Sequence, residues 1–203
     1  VEWTAPDVNE ELESGVCGYV LSIDDALVSD PIFGVDDSTT KTSWPLPAGL
    51  PEGVNYVHVR AVSCAGVASE TVTSEVRIDT EAPDISVDGL ATPGSWIGDD
   101  QTAMIAAADE QSGVAKVGYA IDGGAITWLT DDQVSAAMPE GDHMLTAHAV
   151  DVAGNESWSD IDVRTDTQAP AVELETPAVD DPTRVSATVK DVHSGLVAAS
   201  IEL

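Results

Sequence analysis

An internal repeat of about 87 residues constrains this chain more than any other feature. The motif Asp79-Thr-Glu-Ala-Pro83 returns as Asp166-Thr-Gln-Ala-Pro170, 87 positions later. The motif Pro51-Glu-Gly53 returns as Pro139-Glu-Gly141, 88 positions later. Because separate motifs recur in the same order and at nearly the same spacing, each copy is expected to be one supersecondary or domain-sized unit. Tandem units are therefore favoured over one large domain.

The periodicity inside each copy is typical of β-strands. In the segment 184–190, valine and alanine alternate with charged and hydroxyl residues, the pattern of a half-buried strand. Glycine, proline, aspartate, asparagine and serine interrupt the chain every 8–12 residues or so, which is the spacing of turns between short strands. No stretch shows convincing helical periodicity. The sequence predicts an all-β protein in which each repeat is a sandwich of about seven strands.

The charge of the chain excludes some classes of partner. The 203 residues include 37 Asp+Glu and 7 Lys+Arg, for a formal net charge of −30. A nucleic-acid binder needs clustered Lys/Arg to neutralise phosphates, so nucleic acid is not expected as a partner. No apolar run approaches the roughly 18 residues of a membrane-spanning helix, so no membrane insertion is expected within this segment. Because 43% of the residues are hydrophobic, the chain is expected to fold.

The repeated motifs resemble the immunoglobulin-like and fibronectin type III-like repeats of bacterial secreted and cell-surface proteins. The first copy is closer to fibronectin type III, and the later copies are closer to the immunoglobulin-like modules. The motifs that carry the resemblance are Trp3-Thr-Ala-Pro6, Ser14-Gly-Val-Cys-Gly-Tyr19, Ala108-Asp-Glu-Gln-Ser-Gly-Val114, Tyr119-Ala-Ile-Asp-Gly-Gly124, Glu140-Gly-Asp-His143 and Ala149-Val-Asp-Val-Ala-Gly-Asn155.

The resemblance implies three tandem modules. Residues 1–79 are expected to form a fibronectin type III-like sandwich that lacks its first strand. Residues 80–166 are expected to form a complete immunoglobulin-like sandwich. Residues 167–203 are expected to be the N-terminal part of a third, truncated copy.

The two cysteines are expected to pair. In this fold the third strand of the first module, which begins near Cys17, is the antiparallel neighbour of the sixth, which ends near Cys64. The middle copy lacks both cysteines. We therefore predict a Cys17–Cys64 disulfide, which implies an oxidising compartment. The alternative is two free thiols in a cytosolic protein.

Carboxylates cluster at the predicted module junctions. Hard oxygen ligands that converge from a linker and two loops suit Ca²⁺, which takes 6–8 oxygens. No other cofactor is expected to be required. The alternative is that these aspartates cap turns by accepting backbone N–H bonds. The predicted ligands are Asp79, Glu81, Asp84, Asp109, Glu110 and Asp151 at the first junction, with Asp166 and Asp191 as a weaker second set.

No catalytic signature is present, so the chain is predicted not to be an enzyme. The four histidines form no zinc-binding spacing, and no Gly-x-Ser-x-Gly motif occurs. Trp128 and Trp158 lie near strand ends, where an exposed indole could stack on a sugar ring; the alternative is that each covers part of a small core.

These observations favour a structural and adhesive module of a bacterial extracellular or surface protein. It would act as a spacer or stalk and would contact a protein ligand of the host or matrix, or a glycan. The second hypothesis is an accessory, carbohydrate-binding module of a secreted glycan-active enzyme. Such modules serve many roles, so the fold alone does not decide between the two.

Overall fold

The computed structural model describes residues 1–5, 14–90, 94–98, 102–129, 133–175 and 186–196. These residues form fourteen β-strands and no helix, which confirms the predicted all-β class. Accordingly, they include no helix that is long and apolar enough to cross a membrane. The chain divides into two compact units, Val1–Thr80 and Glu81–Leu203, and each unit is described by itself below.

The first unit is built on one four-stranded antiparallel sheet. Its long central strands β1 and β3 pair along most of their length, and the order across the sheet is β2-β1-β3-β4. Apolar side chains on these central strands are buried, among them Leu21 and Val57. The strands are β1 (Val16–Asp24), β2 (Asp37–Thr39), β3 (Gly53–Ser63) and β4 (Val72–Ile78).

A disulfide joins Cys17 in β1 to Cys64 just beyond β3, as the sequence predicts. Their Cα atoms are 4.8 Å apart, within the range that a disulfide spans. The backbone N–H of Cys64 also donates to the carbonyl of Gly15. Both cysteine side chains are exposed, so the bond closes one end of the sheet without forming part of its core.

The second unit contains a β-sandwich of two sheets. The smaller sheet has the order β10-β7-β5, and the larger has the order β6-β12-β11-β8-β9. The sequence pattern predicts strands at 85–87, 103–108, 115–121, 144–150 and 160–164, and these correspond to β5, β7, β8, β11 and β12. The full set is β5 (Asp84–Asp88), β6 (Trp96–Ile97), β7 (Ala103–Ala108), β8 (Val114–Ile121), β9 (Thr127–Leu129), β10 (Gln133–Ala136), β11 (Gly141–Asp151) and β12 (Glu156–Thr165).

The core of the second unit lies between these two sheets. Ile105 and Val134 reach it from the smaller sheet, and Val117, Leu145 and Val163 reach it from the larger. Alternate residues of β11, such as Leu145 and Ala147, point inward because successive side chains of a strand face opposite sides. The intervening residues of β11 therefore lie on the outer face of the larger sheet.

A separate hairpin follows the sandwich. Strands β13 (Ala171–Glu175) and β14 (Ser186–Lys190) pair antiparallel in a two-stranded sheet. They correspond to the first two strands predicted for the third copy. Residues 167–170 and the loop 191–196 of that predicted copy are also described, and its remainder, 176–185 and 197–203, lies outside the described residues.

Candidate functional site

A glutamate holds the start of the linker at the end of the first unit. Glu52, in the Pro-Glu-Gly turn that precedes β3, accepts a hydrogen bond from the backbone N–H of Thr80 at 3.1 Å and another from the Thr80 hydroxyl. Thr80 belongs to the Asp-Thr motif of the repeat. We call this arrangement the linker latch.

The second unit contains the same latch. Glu140, in the equivalent Pro-Glu-Gly turn before β11, accepts from the backbone N–H of Thr167 at 3.0 Å and from its hydroxyl at 2.6 Å. Hydrogen bonds to a charged acceptor are stronger than those between neutral groups. The latch was not predicted from the sequence, although the recurrence of Pro-Glu-Gly and of Asp-Thr at matching spacings was its signal.

Several of the predicted calcium ligands cap turns. The Asp109 carboxylate accepts from the backbone N–H groups of Ser112 and Gly113 at 2.9 and 2.7 Å. Asp191 caps its own loop by accepting from the backbone N–H groups of His193 and Gly195, at 3.3 and 2.6 Å. The capping role that the sequence analysis offered as the alternative is therefore present in both copies of the Asp-x-x-Ser-Gly loop.

Asp151 is a buried carboxylate that organises the turn between β11 and β12. It is only 2% exposed and accepts from the backbone N–H groups of Gly154 and Asn155, at 2.6 and 2.8 Å, and from the Asn155 side chain. Burial alone would raise the pKa of Asp151, but the hydrogen bonds from Asn155 and Gly154 hold it below its usual value. Ser63 has the corresponding role in the first unit, where its hydroxyl accepts from Val67 N–H.

The structure brings some of the predicted ligands close in space. Asp84 begins β5 and pairs with the residue just before Asp109, and Glu110 follows Asp109 in the loop. The N–H of Val152 donates to the carbonyl of Gly113, so the loop after β7 and the turn after β11 are adjacent. Asp79 is the penultimate residue of the first unit, and Glu81 is the first residue of the second.

A mixed cluster of two carboxylates and one imidazole lies in the second unit, beside the start of β11 and the end of β12. Glu140, Asp166 and His193 each offer one ligand atom, and these atoms all lie within 4.8 Å of one another. Hydrogen bonds from Ser194 and Gln168 lower the pKa of Asp166 to about 2, so this carboxylate is ionised at neutral pH. Asp191, the predicted partner of Asp166, instead caps the loop that presents His193.

The two tryptophans proposed for sugar stacking belong to one aromatic row on the outer face of the larger sheet. The cross-strand register sets Trp158, His148, Gly118 and Trp128 side by side on β12, β11, β8 and β9. The His148 ring stacks on Trp158 with a centroid separation of 3.2 Å and lies 4.6 Å from Trp128. Trp158 keeps 54% of its surface exposed.

Gly118 makes this row geometrically feasible. A Cβ atom at position 118 would lie 2.8 Å from the Trp128 ring and 2.8 Å from the Thr127 carbonyl oxygen. Without a side chain there, Trp128 covers the glycine and reaches His148. Sequence reasoning named both tryptophans but missed the histidine between them, because their contact depends on the register of four strands.

His148 is consequently buried between two aromatic rings. Its Nε2 lies 3.1 Å from Glu156 Oε2, and its Nδ1 has no hydrogen-bond partner among the described residues. Burial lowers the pKa of His148, an effect that Glu156 only partly opposes. His143, on the same strand, behaves in the opposite way, because its hydrogen bond to Asp122 at 2.6 Å raises its pKa.

Comparison with known proteins does not assign the chain to a family: no protein-family model matches it, and no curated protein matches it.

Proposed function

We propose that this chain is a non-catalytic structural and adhesive module of a bacterial extracellular or surface protein, in which tandem immunoglobulin-like and fibronectin type III-like repeats act as a spacer or stalk. The observation that carries the proposal is the linker latch, which recurs with the same residue types at Glu52–Thr80 and Glu140–Thr167. A spacer needs each repeat to fix the chain that leaves it. A latch repeated in both units meets that requirement.

The disulfide supports the extracellular part of the proposal. Disulfides form and persist mainly in oxidising compartments, and the Cys17–Cys64 bond spans 47 positions of the first unit. The excess of carboxylates would keep such a surface soluble and would disfavour self-association.

Single-molecule stretching of the whole chain tests the proposal. A spacer built from folded modules should give discrete unfolding events, one of which changes with reduction of the disulfide. Freeing the loop of 47 residues should add roughly 160 Å of contour length, at about 3.4 Å per residue. A smooth extension without discrete events would contradict the spacer function.

The aromatic row favours a second candidate function, that of an accessory module that binds neutral glycans. Stacking on His148 holds one face of Trp158 in place, and the exposed indole could present the other face to a sugar ring. Glu156 and Asp160 flank Trp158 on the same side of β12, where their oxygens could accept bonds from sugar hydroxyls.

Titration with a panel of neutral oligosaccharides tests the glycan-binding candidate. Binding should be lost in Trp158→Ala and kept in Trp44→Ala, a substitution in the first unit. The candidate function would be contradicted if the two variants bound the oligosaccharides equally well. It would also be contradicted if wild type and both variants bound none of them.

Calcium at the module junctions is a further part of the proposal. The capped aspartates retain lone pairs that could reach a cation, because each carboxylate offers about four acceptor sites. A calcium titration by calorimetry, followed by a melting experiment, tests this point. The absence of both binding heat and a melting shift would remove calcium from the proposal.

A further inference from the structure

We propose that Glu140, Asp166 and His193 form a site for a divalent transition-metal ion of the zinc class. The three side chains come from separate parts of the second unit: the turn before β11, the residue after β12, and the loop after β14. Their ligand atoms lie within 4.8 Å of one another. The inference goes beyond the spacer function and does not depend on it.

The imidazole of His193 is the first reason. Its Nδ1 atom is inaccessible to solvent and has no hydrogen-bond partner among the described residues, although it lies 3.1 Å from Glu140 Oε1. The two atoms are therefore close but poorly aligned for a hydrogen bond. A cation between them would receive electron pairs from both the nitrogen and the carboxylate.

The supporting contacts hold each ligand in place. Glu140 is anchored by its latch to Thr167, and Asp166 accepts from Ser194 N–H at 2.8 Å. The backbone N–H of His193 donates to Asp191. Metal sites depend on such outer contacts to orient their ligands.

The donor set selects the class of metal. Ca²⁺ prefers sites made entirely of oxygen, whereas Zn²⁺ binds histidine nitrogen together with carboxylate oxygen, at about 2.0–2.2 Å. Ligand atoms in a tetrahedral zinc site are roughly 3.4 Å apart, so closure requires a shift of only about 1–1.5 Å at the widest pair. Three protein ligands would leave the fourth position to water.

The two Asp-x-x-Ser-Gly loops, 109–113 and 191–195, differ at the residue that supplies the nitrogen. Glu140 and Asp166 correspond in sequence to Glu52 and Asp79, but His193 corresponds to Gln111. A neutral amide is a poor ligand for zinc. The nitrogen donor is thus specific to the second of these two loops, and His193→Gln reproduces the residue of the first.

Zinc titration of the whole chain tests the inference. We expect ZnCl2 to bind with one equivalent at this site by calorimetry and to raise the melting temperature of the second unit, with CaCl2 binding more weakly there. His193→Gln should weaken zinc binding at least 10-fold. His148→Gln is the matched control, because it removes another histidine beside a carboxylate, one whose ring packs against Trp128 and Trp158, and should leave zinc binding unchanged.

His193→Gln is preferred over a change at Glu140 because Glu140 also forms the latch. Circular dichroism should show that both variants retain the wild-type fold. The inference is overturned if wild type does not bind zinc, if His193→Gln binds zinc as tightly as wild type, or if calcium binds this site more tightly than zinc.

Discussion

Removal of the disulfide is expected to destabilise the first unit by about 4 kcal/mol. The Cys17→Ala, Cys64→Ala double variant opens a loop of 47 residues, and the loop-entropy relation assigns about 4 kcal/mol to a closed loop of that length. Both side chains are exposed, so their truncation leaves no buried cavity and adds little to this value. The effect should therefore arise mainly in the unfolded state.

Calorimetric unfolding of the whole chain measures this loss, and the transition of the second unit serves as the internal reference. In a unit of this size, 1 kcal/mol corresponds to roughly 4–8 °C, so the melting temperature of the first unit should fall by roughly 15–30 °C. The chain has only two cysteines, and the second unit should keep its own transition. Wild type in the presence of a reductant should match the double variant.

Two outcomes would refute this reasoning. A loss below about 1 kcal/mol would mean that the unfolded state is already compact enough to make the cross-link unimportant. An equal fall in the transition of the second unit would mean that the two units do not unfold independently.

Three further predictions concern the packing, the histidines and the latch. Gly118→Ala should destabilise the second unit by about 1–3 kcal/mol, as overpacking does, because its Cβ would meet the backbone of β9 at 2.8 Å; unchanged urea unfolding would contradict this. The lowered pKa of His148 means that its contribution to stability is present above the unfolded value of about 6.5 and falls as pH drops below it. The pKa of His143 is raised, so the pH dependence of its contribution is the opposite. The contribution of His143 to stability is full below about pH 6.5 and is lost as pH rises through the folded pKa. The free energies of unfolding of His148→Gln and His143→Gln, measured across pH 5–8, separate these effects. If the plots of unfolding free energy against pH run parallel for wild type and both variants, neither residue contributes. Glu52→Gln should weaken the latch and cost about 0.5–1.5 kcal/mol, whereas Glu75→Gln, in an exposed ion pair, should cost about 0–1 kcal/mol; equal losses would argue against the latch.

The sequence alone predicted much of the fold because the relevant signals are local. Alternating residues and turn residues identified most strands of the second unit, and recurring motifs identified the repeat. The disulfide was also predictable, because the resemblance supplied the pairing of the two strands beside which Cys17 and Cys64 come together.

The sequence determined that the chain is all-β, repetitive and anionic, since composition, periodicity and motif spacing are properties of the chain itself. Only the tertiary structure decided which side chains meet. The latch joins Glu140 to Thr167 across 27 positions, and the cluster adds His193 from a different hairpin. The row that buries His148 between Trp128 and Trp158 requires the correct register of four strands and the missing side chain of Gly118. A one-residue slip in any of these strand pairings would turn the side chains to opposite faces, so no linear pattern could have specified the contacts of this row.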